Sequence, residues 1–331
     1  MRTIKAEIEI ITPFFLSGED QEHAELRPPS VKGLLRFWWR AMKEENNLSE
    51  TRRNEQKIFG GTENQGKKSS FSVKIIPDNV KTTWEEFPRH LVPVEGKNFG
   101  MNILGYLAYG PYDKGKLVRD YYSPGTKFDV YLLIKEEEFI KDILHSLYLL
   151  SSFGGLGSRA RNGFGNFHIL NRDEVFKELG DEYVQNLVPD RKIMSQYLKL
   201  QRQPPYTAFS EGVRLFKSDH TFDKWDGCLA EIGEIYRKCR LGLEKKHQYE
   251  KRQYIGAPII VRGKGQVSLL DRRAKPYFMR VIKEKESQLR GYILYLPAKY
   301  SEESDKAQDA TKVWGEFNKL LENKLEVLYG K

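Results

Sequence analysis

Apolar positions along this chain follow two periods, and the two alternate in a recurring order. In "TIKAEIEII", residues 3–11, every second side chain is apolar, the mark of a half-buried strand. A polar loop follows, and Ser30 predicts the N-cap of a helix starting at Val31. "FSVKII" (71–76) reads as a second strand ended by Pro77, and "KFDVYLLI" (127–134) as a third. Residues 136–153 switch to helical spacing. Ile140, Ile143, Leu144 and Leu147 share one face, and acidic residues occupy the first turn, where the helix dipole favours them. "FGNFHIL" (164–170) predicts a closing strand.

A polar helical segment spans about 173–202 and ends at "RQPPY", where Pro204 and Pro205 predict a boundary. Beyond it the order recurs. "YTAFSEGVRLF" predicts a strand, residues 223–246 a long helix, "GAPIIV", "PYFMRVI" and "RGYILYLPA" short strands, "KVWGEFNKLLENK" a helix and "LEVLY" a last strand. The expected fold is α+β, with two ferredoxin-like (βαββαβ, RRM-like) domains in tandem. The expected domains are 1–172, carrying a glycine-rich loop, a helical linker over 173–205, and 206–331.

Composition narrows the function. Hydrophobic residues make up 39% and aromatic residues 12%, enough for a packed core. No apolar run is long enough for a membrane span, and the N-terminus lacks the apolar stretch of a signal peptide, so a cytoplasmic protein with no membrane partner is expected. Cys228 and Cys239 lie about 16 Å apart along one predicted helix, too far for a disulfide. No Cys or His pair has zinc-ligand spacing, and neither a metal nor a cofactor is expected. The net charge of +9 favours a polyanionic partner, although Lys- and Glu-rich thermophilic proteins reach similar values for other reasons.

Two stretches could carry that partner. On a helical wheel, Lys32, Arg36, Arg40 and Lys43 form a basic stripe opposite Leu34, Phe37, Trp38 and Ala41, with Trp39 between the two faces. Such a stripe is either a solvated face or an anion-binding one. Like charges four residues apart repel, and an anion across the stripe would remove that repulsion. Gly33 costs this helix up to about 1 kcal/mol against alanine, which a close backbone neighbour would explain. The second stretch, "FGGLGSRARNGFG" (153–165), holds five glycines and two arginines without a carboxylate. Bare N–H groups form anion-binding concavities, and Arg159 and Arg161 can add bidentate phosphate contacts. No Gly-Lys-Ser/Thr ends the loop, and it runs from helix to strand, the reverse of a dinucleotide turn. "NGFGNF" is similar to an RNA-recognition sequence, but Asn166 stands where an aromatic is expected.

"ELRPPSVKGLLRFWWRA", "IFGG" and "FGGLGSRARNGFG" resemble the RAMP superfamily of CRISPR-associated proteins, most nearly the first-numbered subunit of the type III-B (Cmr) effector complex. In the second half, "YIGAPII" and "RRAKPYFMRVI" look like weaker counterparts, with Lys275 where a serine is expected. The resemblance implies two ferredoxin-like domains and binding of CRISPR RNA and/or target single-stranded RNA near the 3′ end of the guide, beside other RAMP subunits. It implies no nuclease role. By position it assigns RNA contacts to Lys32, Gly33 and Arg36, to Gly154, Gly155, Gly157, Ser158, Arg159, Arg161, Gly163 and Gly165, and to Arg272 and Arg273. Arg40 and Lys43 join them as members of the stripe.

An enzyme is the weaker reading. Of six scattered histidines, His168 alone lies near the expected basic surface, and His145 is expected on the outside. Glu19, Asp20, Glu22 and Glu25 could hold Mg2+ for cleavage, but a charged loop is more often solvated. No catalytic residue is assigned. A structural adaptor whose basic faces meet acidic subunits is the third possibility.

Overall fold

A computed structural model describes residues 1–43, 47–61, 66–94, 98–198, 206–245, 247–257, 259–261, 265–268, 274–300 and 304–330. It is a mixed helix-and-sheet fold with two four-stranded antiparallel sheets. The first contains β1 (Arg2–Ile10), β2 (Phe71–Asn79), β3 (Lys127–Ile134) and β4 (Phe167–Ile169), in the spatial order β4-β1-β3-β2. The second contains β5 (Arg214–Phe222), β6 (Tyr277–Lys285), β7 (Gln288–Tyr295) and β8 (Glu326–Tyr329), in the order β6-β7-β5-β8. Numbered within its own half of the chain, each sheet runs 4-1-3-2. The recurrence of element order expected from the sequence is thus matched by recurrence of strand order.

Helices α1 (Pro28–Ala41), α2 (Leu48–Phe59) and α3 (Ile103–Leu107) precede β3, and α4 (Ile140–Phe153) precedes β4. Three short helices follow, α5 (Arg172–Phe176), α6 (Asp181–Gln185) and α7 (Arg191–Tyr197). The second half holds α8 (Trp225–Gly242) and α9 (Ser304–Glu322). Pro204 and Pro205, and with them the expected boundary, lie outside the described residues.

Burial along β6 explains how the halves meet. Its residues Tyr277 to Ile282 are all buried, so this strand does not alternate inside and outside. Phe278 and Ile282 pack with Trp38, Leu144 and Val130 of the first half, whereas Tyr277, Met279 and Val281 pack with Tyr236, Trp314 and Phe317 of the second. Helices α1 and α4 therefore lie between the two sheets, and α8 and α9 cover the far face of the second sheet. Phe278 meets Trp38 with ring centroids 5.5 Å apart.

Several boundaries move from the sequence reading. Helix α1 starts at Pro28 rather than Val31, with no side-chain cap. Two prolines fix the first turn at the φ a helix needs and remove N–H groups that would have no partner there, so Ser30 is not required as a cap. Strand β2 continues through Pro77 because it is an edge strand, where a missing N–H costs no ladder bond, and its register shifts between Pro77 and Asn79. Strand β5 begins at Arg214, eight residues after the start of the predicted segment. Helix α2 and α3 have no counterpart in the sequence reading.

Candidate nucleic-acid interface

The basic stripe of α1 turns inward to partners within the protein. Lys32 is half-buried 5.1 Å from the centroid of the Phe71 ring; burial first, then Arg36 and Lys135, lower its pKa. Arg36 donates to the Gly60 carbonyl at 2.6 Å and pairs with Glu55 of α2 at 3.2 Å. Arg40 forks onto both oxygens of Glu55, at 2.8 and 3.1 Å. Lys43 meets Asp142 of α4 at 2.6 Å, and the same oxygen accepts from the Trp39 indole at 3.0 Å. The anion expected across the stripe is supplied by these two carboxylates. Gly33 is a correction too: it is exposed, and a side-chain carbon there would touch nothing within 4 Å, so no close neighbour explains it.

The glycine stretch divides by burial. Gly154, Gly155, Gly163 and Gly165 are buried, and only the segment from Gly157 to Asn162 reaches outward. Gly165 adopts φ +64, where a side chain would run into the Leu156 carbonyl, and Gly157 adopts φ +76 against the Phe15 carbonyl. Both conformations favour glycine on steric grounds. The loop amides are spent on chain partners: Leu156 donates to Gly165 at 2.8 Å, Ser158 to Phe15 at 2.7 Å and Gly165 to Pro13 at 2.8 Å. These three amides therefore do not supply an open anion nest. The glycines permit close backbone packing that holds out a short cationic tip.

That tip forms one wall of an open groove of about 1850 Å3 between the two halves. The wall is pinned at both ends. Asn162 donates to the Leu107 carbonyl of α3 at 2.6 Å, and the Met279 amide of β6 donates to the Arg161 carbonyl at 3.1 Å. Arg161 lies 4.4 Å from the Phe278 ring centroid and donates to the Lys275 carbonyl. Arg159 is exposed at φ +60, a conformation non-glycine residues rarely hold, with its guanidinium 5.9 Å from the Tyr109 ring. Across the groove, Lys275 rests its ammonium 4.2 Å from the centroid of the Tyr236 ring of α8. Burial first, then Arg161, Arg240 and Arg159, push the Lys275 pKa well below the usual lysine range. Among the described residues, the lining carries Lys114, Arg119, Arg159, Arg161, Arg240 and Lys275 against one carboxylate, Asp113.

The expected sites therefore separate. Gly154, Gly155, Gly157, Ser158, Arg159 and Arg161 line the groove, while Gly163 and Gly165 support it from behind. Lys32, Arg36, Arg40 and Lys43 are not in its lining; the apolar side of α1, through Leu34, Phe37 and Trp38, faces it instead. One trough shared by stripe and loop does not form, because the apolar side of α1 faces the loop while Arg36 and Arg40 turn to Glu55 of α2 and Lys43 to Asp142 of α4. Arg272 and Arg273 lie outside the described residues. Sequence reasoning missed Arg240 and Tyr109. Lys275 had one signal, its departure from the serine that the resemblance expects.

Other candidate groups are occupied structurally. His168 faces a cleft of about 10 Å3, room for one water, and burial chiefly lowers its pKa to about 4. His145 is not on the outside as expected: it is half-buried, its Nδ1 lies 2.8 Å from the Tyr197 hydroxyl, and burial holds its pKa at about 4. Asp20 accepts the amides of Glu22 and His23 at 3.1 Å each. Among the described residues no group of three His, Cys, Asp or Glu side chains is placed to hold a metal, and no helix is long and apolar enough to cross a membrane. Cys228 and Cys239 are both buried and free. Asn166, which replaces the expected aromatic, is buried and joins the halves: it accepts the Val281 amide at 2.7 Å while its own amide donates to Thr12 at 2.9 Å. Arg280 of β6 is also buried. It donates to the carbonyls of Ser151, Gly154 and Phe167, satisfying acceptors around the end of α4 and in β4.

Comparison with known proteins matches residues 7–168 to the RAMP superfamily. Two curated relatives from Pyrococcus furiosus are similar. CRISPR system Cmr subunit Cmr1-1 is 31% identical over 184 residues, which cover 53% of this chain and 50% of that protein. Cmr1-2 is 29% identical over 178 residues, covering 49% of this chain and 92% of that protein. The match thus spans about half the length of the first relative and most of the second. Among solved structures, apo Cmr1 from Pyrococcus furiosus superposes with a TM-score of 0.60 at 21% identity, over 99% of this chain and 98% of that one. A chain of a type III-B Cmr-β complex bound to cognate target RNA and AMPPnP superposes with a TM-score of 0.52 at 12% identity, over 96% and 99%. At these identities the two structures speak to fold.

Proposed function

We propose, from the match of residues 7–168 to the RAMP superfamily, that this chain is an RNA-binding subunit of a type III-B CRISPR effector complex, contacting guide and/or target RNA near the guide 3′ end. The observation that carries this reading is the groove, whose lining among the described residues opposes six cations to one carboxylate and includes Phe37, Tyr109, Tyr236 and Phe278. Tyr236 and Phe278 are buried beneath Lys275 and Arg161, whereas Tyr109 is exposed, and cations that track a backbone beside an exposed aromatic face suit single-stranded nucleic acid with little sequence preference. The strand order of each sheet supports tandem ferredoxin-like units, and the groove between them is where two such units would present one strand. The setting is cytoplasmic, and the partners are other RAMP subunits. Trp84, Leu91 and Phe99, exposed between β2 and β3, offer apolar surface for them.

In this reading the chain binds RNA and does not cleave it. Asp20 accepts the amides of Glu22 and His23 on one oxygen, and the half-buried His168 faces a cleft with room for one water rather than the groove, which supports this reading. The test is ultraviolet crosslinking of the chain to a short single-stranded RNA, with the crosslinked peptides mapped. Crosslinks are expected on 106–119, 157–162, 236–240 and 274–278. Crosslinks confined to α1 and α2, or no binding at low salt, would overturn the proposal.

A further inference from the structure

Where the end of α4 and strand β4 meet β6, the side chains of His168, Arg172, Arg280 and Lys283 line the cleft of about 10 Å3, which shares no lining residue with the groove. Among the described residues its lining carries these four basic groups and no carboxylate. Glu9 of β1 stands outside the lining and pairs with Lys283 at 3.3 Å. Arg172 and Arg280 are both buried, and among the described residues every hydrogen bond they donate ends on a backbone carbonyl. Arg280 reaches Ser151, Gly154 and Phe167, and Arg172 reaches Val184, Tyr183 and Asn186 at 3.1, 2.6 and 2.9 Å. Carbonyl dipoles, with the Phe167 ring under Arg280 and the Phe176 ring under Arg172, solvate the two guanidiniums without cancelling either charge. Arg280 is 2% exposed, and its buried Nε has no partner at all among the described residues. A buried charge and a buried, unspent N–H are each costly until something answers them.

We propose that this cleft is a site for a single monatomic anion, chloride, held by Arg280 and Arg172 with His168 and Lys283 completing its wall. The space is that of about one water-sized sphere, which admits a halide and excludes phosphate or a carboxylate side chain. Chloride accepts N–H bonds from any direction, which suits guanidiniums whose orientation is already fixed by six carbonyls. Water would fit the same space and satisfy an N–H, but it would leave both charges uncompensated. The position also gives the ion a structural consequence. Arg280 belongs to β6 of the second half, whereas Arg172, His168 and all three carbonyls that Arg280 holds belong to the first. An ion shared by the two arginines therefore ties one half of the protein to the other. The site is independent of the RNA reading.

Two measurements on the full chain test this. In the first, thermal unfolding is followed as sodium chloride replaces sodium gluconate at constant ionic strength, for the wild type and for Arg280→Lys, which keeps the charge and gives up the fork. The wild-type midpoint is expected to rise by about 2 °C more than that of the variant by about 0.1 M chloride, along a curve that saturates. Comparison with the variant removes the general effect of exchanging the salts. Arg280 also holds three carbonyls, so Arg172→Lys takes its place if Arg280→Lys does not fold, with the same expectation. Equal responses in wild type and variant would overturn the site. In the second, wild-type crystals soaked in sodium bromide are measured at the bromine absorption edge. An anomalous peak between Arg280 and Arg172 supports the site, and water there without a peak overturns it. A peak with no chloride response in solution is an adventitious ion only and overturns it as well.

Discussion

Arg40 lies against both oxygens of Glu55 and Lys43 against Asp142, whereas Lys275 faces Arg161, Arg240 and Arg159. Both regions gather four basic side chains beside aromatic rings. In the first, carboxylates from α2 and α4 complete the arrangement, and its product is a fixed packing of three helices. In the second, the cations line an open groove whose described residues include one carboxylate, Asp113. What separates the two regions is that carboxylates of neighbouring helices close one, while the other opens onto a groove.

The largest effect is expected from Gly165→Val. The new side chain would collide with the Leu156 carbonyl at a backbone angle of φ +64, beneath the loop that carries Arg159 and Arg161. A loss of about 3 kcal/mol or more is expected, seen as a midpoint in urea lowered beyond measurement or as insoluble protein. A stable Gly165→Val variant that had lost only RNA binding would instead make this glycine a ligand contact.

Acid separates the regions next. His145 stands beside the Asp142–Lys43 pair, and Asp142 partly offsets the burial that lowers its pKa to about 4; His168 is held at about 4 by burial and nearby arginines. An unfolded histidine titrates near 6.5, so below that pH the unfolded chain binds more protons than the folded one. The stability these neutral rings contribute is complete above pH 6.5 and is lost as pH falls toward 4. A decline of about 1–3 kcal/mol in unfolding free energy between pH 7 and pH 5 is expected, allowing for solvent screening. His145→Gln should make that decline shallower. If it leaves the pH profile unaltered, the packing around the stripe owes nothing to a neutral His145.

Paired substitutions cross the two regions directly. Arg159→Ala with Arg240→Ala should weaken RNA binding about tenfold or more and leave the thermal midpoint near its original value. Arg40→Ala with Lys43→Ala should do the reverse, costing about 1 kcal/mol of stability through the lost Glu55 and Asp142 pairs, with RNA affinity little altered. Should the stripe variant lose as much affinity as the groove variant, the stripe is part of the RNA path and the division drawn here is wrong.

The sequence displayed the elements better than their partners. Strand β3 and the closing strand β8 fall at or within a residue of their predicted positions, because alternation and turn residues are local signals. Both regions depend on contacts far apart along the chain. Glu55 lies 15 residues from Arg40, Asp142 lies 99 from Lys43, and the Lys275 carbonyl lies 114 from Arg161. Helical spacing predicted that Lys32, Arg36, Arg40 and Lys43 share a face; Arg36 and Arg40 meet Glu55 while Lys43, past the end of α1, meets Asp142, and no local pattern says what such residues meet. Arg280 and Asn166 were hidden for the same reason: one looks like an ordinary strand arginine and the other like a missing aromatic, yet both tie one half of the protein to the other.

The smallest effect lies between the two regions. Gly33 follows Lys32 of the stripe and precedes Leu34 of the groove lining, and it is exposed with open space beyond its α-carbon. Alanine fits there without strain, because the position is helical and nothing stands within 4 Å. Gly33→Ala should raise stability by up to about 1 kcal/mol through backbone entropy alone, a gain of a few degrees in the thermal midpoint. RNA affinity should stay the same if the strand keeps to the groove beyond Leu34. A stabilised variant with weakened binding would mean that the strand or a partner comes close enough to α1 to need a bare backbone at Gly33. The first turn of the helix would then belong to recognition even though its basic stripe does not.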